Sequence, residues 1–274
     1  MLSTARLVCL LSLAIVLPDT PPSWAGEICA GGSVTATHRL EAALPLPAGT
    51  VRPVVTLSRL QVDEPQVTVV LDGVILPAKA AEATHAAYDK TMAGRIGAAV
   101  AFVASAEEPD RHGRRHGVVQ FESGDGLGEQ ILAAGAGLAD VSFTPCATLF
   151  LAAEARARAE KRGIWRQSRI WTDLNAAATG LPDFVLGRGK VASIGRSGRT
   201  TYINFGGNYR TDATVRLRET MTSALVAAGR PPESLSGRVV EVRGWADQRN
   251  GLDMELDSPL ALQLPDEASD LKTD

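Results

Sequence analysis

Beyond residue 50, short runs of β-branched residues at 51–56, 59–62 and 66–74 are set apart by polar or proline-containing turns. Runs of this length and composition read as strands. An alanine-rich stretch at 78–94 carries helical character, and apolar strand-like runs follow at 98–103 and 117–121. Two further helical stretches, 127–136 and 149–162, close the first part. In the second of these, Leu149, Ala152, Ala153, Arg156 and Ala159 recur at helical spacing. They give a small, apolar face suited to packing on a barrel. Gly163 can then end the helix in a left-handed conformation and let Trp165 fold back as a plug.

The same order returns after a polar, Gly/Pro-containing linker at 175–182. Strand patterns at 185–194, 200–204 and 213–217 precede a helical run at 218–228, which Gly229 and the Pro231–Pro232 pair stop. Strand patterns at 239–244 and 254–256 complete the series. Three strands, a helix and two strands is the order of the OB-fold, a five-stranded Greek-key barrel. The fold class expected is therefore β-rich α+β, with two OB-like five-stranded barrels in tandem at 26–174 and 183–265. An acidic tail at 266–274 follows.

Residues 1–25 change the count of what folds. Arg6 precedes an apolar run at 7–17, Pro18 breaks it, and Ser23-Trp24-Ala25 makes a small-x-small end. That is the pattern of a cleaved export signal, and the run is too short to span a bilayer. The chain is expected to be exported, periplasmic or secreted, with no transmembrane segment after signal removal. Loss of Cys9 leaves Cys29 and Cys146, which in an oxidising compartment pair or stay as two buried thiols; the pairing is the expectation. The balance of the whole chain, 45% hydrophobic and 22% charged with net charge −3 over 274 residues, excludes a disordered or fibrous chain. It also lacks the overall positive field of a non-specific nucleic-acid binder.

Asp110-Arg111-His112-Gly113-Arg114 makes an Asp-x-x-Gly-Arg loop that resembles the Asp-x-Tyr-Gly-Arg loop of the thermonuclease (staphylococcal-nuclease-like) family. Leu149 through Ala157, with Lys161-Arg162-Gly163-Ile164-Trp165, resembles its final helix, and Leu71-Asp72-Gly73-Val74 before Pro77 fits the strand leading to its catalytic turn. The likeness covers about 50–167. The second series resembles a domain often appended to exported members, through 201–206, Val242-Arg243-Gly244-Trp245 and Arg249-Asn250-Gly251.

The resemblance implies phosphodiester cleavage by a calcium ion on aspartates, a water-activating glutamate and two arginines. The chemistry needs all of these: a hard cation wants carboxylate oxygens, and the charged transition state wants fixed positive charge. Residue by residue, the first arginine falls on Val70, a metal aspartate on Ile75 and the glutamate on Ala78. The other metal aspartate falls on Ser58. Arg114 alone keeps its match. Isoleucine cannot coordinate calcium and alanine cannot take a proton. Asp72 is the best compensating carboxylate, with Asp63, Glu64 and Glu82 as further acids in reach.

Around that loop, Arg111, Arg114 and Arg115 suit either an anion pocket or an ion pair that holds the loop on the barrel. His112 and His116 read as surface or turn histidines, with no zinc partners at ligand spacing. The basic run Arg156, Arg158, Lys161, Arg162, Arg166 and Arg169 reads as a solvated face. Trp171 and Trp245 read as core or rim packing, with stacking on a ligand as the alternative. The function expected is a degenerate nuclease acting as a binding or assembly module, without a cofactor. Its partners would be a single-stranded nucleic acid or an envelope protein. The alternative is an active nuclease with relocated carboxylates, which would need Ca²⁺.

Overall fold

The computed structural model describes Cys29 and residues 32–176, 183–208 and 211–265. The expected signal segment 1–25, most of the expected linker and the acidic tail 266–274 lie outside the described residues. Five strands form a closed barrel: β1 (His38–Ala43), β2 (Val54–Arg59), β3 (Val67–Leu71), β5 (Ala99–Ala104) and β6 (Arg115–Phe121), in the order β1-β2-β3-β6-β5. β3 and β6 run parallel, and the other pairs are antiparallel. Helix α1 (Ala81–Ala93) lies between β3 and β5 in sequence, and α2 (Leu127–Ala133) and α3 (Ala147–Ala159) follow β6. The two-residue strands β4 (Val74–Ile75) and β7 (Leu138–Ala139) pair with one another.

The strand count matches the sequence pattern, but the first strands sit elsewhere. β1 lies upstream of every predicted strand, and 59–62 is not a strand beyond Arg59. A register shift between Leu40 and Ala42 breaks the alternation of β1, which hides it from a period-of-two pattern. Leu60 and Val62 are apolar but exposed, and occupy a bend rather than a pleated row. Leu40, Leu57, Val69, Val100 and Val119 fill the barrel, and Tyr88, Ile131 and Phe150 from the three helices join the same core. Cys29 and Cys146 form the expected disulfide, with Cα atoms 5.3 Å apart, and tie the N-terminal segment to the turn before α3. Closing a loop of 117 residues restricts the unfolded chain by about 4–5 kcal/mol in the chain-entropy account.

The second sheet has the order β10-β11-β12-β14-β13-β9-β8, with β15 (Leu262–Gln263) also on β13. Its strands are β8 (Thr172–Asp173), β9 (Asp183–Lys190), β10 (Ser193–Ser197), β11 (Thr200–Asn204), β12 (Thr214–Arg218), β13 (Val239–Gln248) and β14 (Leu252–Glu255). Helix α4 (Glu219–Ala227) connects β12 toward β13. The single predicted strand 185–194 is two strands, because the chain changes partners at Val191-Ala192: β9 pairs with β13 and β10 with β11. β12 and β14 are parallel, as β3 and β6 are in the barrel. This unit also reaches back before the linker: β8 pairs with β9, and Leu174 is fully buried in the second core.

The two units meet along α3 and β13. Arg158 makes two hydrogen bonds to Glu241, at 2.8 and 2.9 Å, and Arg243 makes two to Glu154, both at 2.8 Å. The basic run expected to be a solvated face is thus partly interface. Arg156 pairs with Glu129 and Arg158 with Glu241, while Arg162 and Arg166 stay at the surface.

Candidate functional site

The Asp110–Arg114 loop enters β6 at the barrel rim. Asp110 organises it by accepting from the backbone N–H groups of His112 and Arg114 through Oδ1. Its Oδ2 accepts from Arg114 Nε at 2.8 Å, and Arg114 Nη2 lies 2.7 Å away. Gly113, at φ +74°, supplies the left-handed residue that the tight loop needs. Hydrogen bonding to Arg114 holds the Asp110 carboxyl well below the usual carboxylate range. Arg114 is therefore tied within its own loop. Arg111 donates from Nε to His112 Nε2 at 3.0 Å, and Arg115 reaches the Ala106 carbonyl at 3.5 Å. The three arginines share a loop but have separate partners.

Asp72 follows the end of β3 in a turn and is 9% exposed. Ser105 Oγ donates to its Oδ2, and His116 Nδ1 stands 3.1 Å from its Oδ1. A carboxylate only accepts, so Nδ1 is the protonated nitrogen of this contact. His116 Nε2 then faces Asp110 Oδ2 at 3.6 Å. Ser105, Asp72 and His116 are thus joined by hydrogen bonds at the barrel rim, with the Asp110–Arg114 pair next to them. Sequence reasoning read His116 as a surface or turn histidine and did not place it beside Asp72. The signal it lacked was the parallel register of β3 on β6, which sets Val70 opposite His116 and brings Asp72 within reach.

The positions where the family carries its catalytic groups have other surroundings. Val70 is 3% exposed and Ile75 fully buried. Ile75 packs with Leu138, Ile164 and Trp165, and with Phe184 and Leu186 of the second sheet. The N–H of Ala78 donates to Thr50 Oγ1 at 2.9 Å. Ser58 Oγ donates to Glu41 Oε1 at 2.5 Å, on the β1–β2 face. Asp63 and Glu82 are exposed, and Glu64 pairs with Arg59 at 3.2 Å. Among the described residues, no three histidine, cysteine or acidic side chains are grouped to hold a metal ion.

The residues present do not fit calcium at that place. An alkyl side chain, Ile75, stands where the resemblance expects a ligand, and both oxygens of Asp72 already have partners. Comparison of the chain with protein-family models and with curated proteins returned no match.

A second surface has a different character. Lys90, Arg95, Arg162 and Arg166 stand around an open groove of about 1,120 Å³, floored by alanines of α1 and α2, with Glu82 the acidic side chain on its lining. No aromatic ring lines it. Trp165 is buried, as expected of a plug, but the left-handed residue that ends α3 is Lys161 at φ +53°, and Gly163, at φ +50°, lies two residues further on. Among the described residues, no helix is long and apolar enough to cross a membrane.

Proposed function

We propose that the chain is an exported, thermonuclease-like protein that has lost phosphodiester hydrolysis and works as a binding or assembly module. Both of its β units are read as OB-type barrels. For the first, support comes from the order β1-β2-β3-β6-β5 with its single parallel pair. For the second, it comes from β9 and β10, which stand at opposite places in the sheet order yet are consecutive in the chain.

Ile75 carries the proposal on function. The position that would hold the metal is a fully buried alkyl group, packed beneath Phe184 and Leu186 of the second unit. A carboxylate there would be desolvated among apolar side chains, and water would have no route to a metal. Arg114, the one matching arginine, is neutralised by Asp110. What such a scaffold still offers is surface: the basic groove around Lys90, Arg95, Arg162 and Arg166 would attract an anionic partner.

Thermal unfolding in calcium tests the loss. A site that bound N and not U at a hundred times its Kd would stabilise by about 2.7 kcal/mol, a rise of roughly 5–10 °C for a chain of this size. Millimolar Ca²⁺ is expected to leave the midpoint where Mg²⁺ leaves it. A calcium-specific rise of that size would count against the proposal. Retention of a labelled single strand that weakens steeply with salt identifies a nucleic-acid partner. Its absence directs the search to an envelope protein.

A further inference from the structure

β13 presents Glu241, Arg243 and Trp245 two residues apart, so the three share one face of the strand. The first two are consumed by the buried ion pairs to α3. Trp245 continues the row past the edge of that contact and is 48% exposed. Its indole is held edge-on by the cross-strand partner Phe184, with centroids 5.6 Å apart and planes at 82°. Such a pair fixes the ring, and the exposed area is a rigid apolar platform. Beside it lies a pocket of about 260 Å³ between the two units, with Asp140 and Ser142 on one wall and Arg218, Glu255 and Asp257 on the other.

We propose that this junction pocket binds a neutral saccharide, with the indole of Trp245 stacked on the C–H face of one sugar ring. The site differs from the phosphodiester positions, and its occupation does not depend on whether they act. Charge selects the ligand class. Asp140 is bound to Arg52, Arg243 to Glu154, and Arg218 to Glu255. Asp257 is exposed and has no hydrogen-bond or ion-pair partner among the described residues. A phosphodiester laid on Trp245 would meet an unpaired carboxylate rather than an unpaired cation. A quaternary ammonium is recognised by a cage of several ring faces, and of the two rings on this lining Phe184 is buried and only Trp245 is exposed.

Hydroxyls suit the remaining groups. The Asp257 carboxylate accepts from them, and the exposed guanidinium of Arg218, which meets Glu255 through Nε, keeps further N–H donors. Ser142 Oγ, which donates to Asp140 Oδ1 at 2.6 Å, keeps lone pairs for a further donor. The pocket holds about eight or nine times the ~30 Å³ share of a water, room for one ring with its hydroxyls.

The test is titration of the intact chain with chitotetraose and cellotetraose, read by tryptophan emission and by calorimetry. Trp245 is more exposed than Trp165 or Trp171, so its emission responds first. At least one of the two sugars is expected to bind. Trp245→Ala should weaken that binding by about tenfold or more, Trp245→Phe should keep most of it, and Asp257→Asn should weaken it by about tenfold. An unfolding midpoint of Trp245→Ala equal to the parent's shows that the exposed substitution left the fold intact. The proposal is overturned if neither sugar binds at millimolar concentration, or if Trp245→Ala binds as the parent does. It is equally overturned if an oligothymidylate strand, and not the sugars, engages Trp245.

Discussion

The buried pair between Arg243 and Glu154 gives a prediction whose sign is not obvious from a list of contacts. Both side chains are almost fully buried, at 4% and 5% exposure. Glu154 also accepts from the Ala139 N–H at 2.6 Å, and Arg243 donates to the Ala139 carbonyl at 3.2 Å. Glu154→Gln keeps an acceptor for the Ala139 N–H but leaves the guanidinium buried without its counter-charge. Stranding one partner of such a pair costs about 3–5 kcal/mol.

Adding Arg243→Met removes the stranded cation and fills the space of the arginine stem. What is then lost is mainly the donor to the Ala139 carbonyl, about 1–3 kcal/mol. The double variant should therefore be more stable than Glu154→Gln alone by about 2 kcal/mol. Urea unfolding of the parent, both single variants and the double variant measures the cycle. If Glu154→Gln falls within about 1 kcal/mol of the parent, or if Arg243→Met adds its full single cost on top, the pair does not fasten the units as described.

Three further outcomes follow from local geometry. Gly163→Ala should destabilise by about 2–4 kcal/mol, because its φ of +50° disfavours a Cβ that would sit 2.0 Å from the Gly135 carbonyl oxygen; chemical denaturation checks it. Tyr88→Phe should stabilise by about 1 kcal/mol, since the Tyr88 hydroxyl is buried with no hydrogen-bond partner among the described residues; a midpoint lower than the parent's would point to a partner. Asp110 is depressed in the folded chain, so its contribution is present above the ordinary carboxylate pKa of about 3.9 and is lost as pH falls through the lower folded value. Carboxyl NMR should accordingly show Asp110 charged throughout the interval in which ordinary aspartates titrate, and Arg114→Ala should move it back toward them.

How much of this was legible in the sequence depends on the range of each interaction. The Asp110–Arg114 pair is four residues apart in one loop, so its alternative as a structural clamp could be weighed from spacing alone. That Ile75 and Ala78 can neither ligate a metal nor take a proton was equally visible, because side-chain type decides what an atom can do. The disulfide was expected from an oxidising compartment and from the two cysteines that the expected signal removal would leave. β1 was hidden by its irregular register, and the split at Val191-Ala192 by the continuity of an apolar run across a change of partner.

The junction was invisible for a different reason. Arg158 and Glu241 are 83 residues apart, and Glu154 and Arg243 are 89 apart. No periodicity within α3 or β13 marks those arginines as interface rather than solvated. Trp245 was weighed as rim packing or a stacking platform, and only its register against Phe184 shows how the ring is held and how much of it stays open.

The central claim is that core packing has replaced phosphodiester chemistry at the first barrel. Cleavage of labelled single- and double-stranded DNA and RNA, with protein in excess and either Ca²⁺ or EDTA present, tests it most directly. The account predicts the same background rate in both conditions and no change with Arg114→Ala. Calcium-dependent cleavage that EDTA stops and Arg114→Ala abolishes would contradict it.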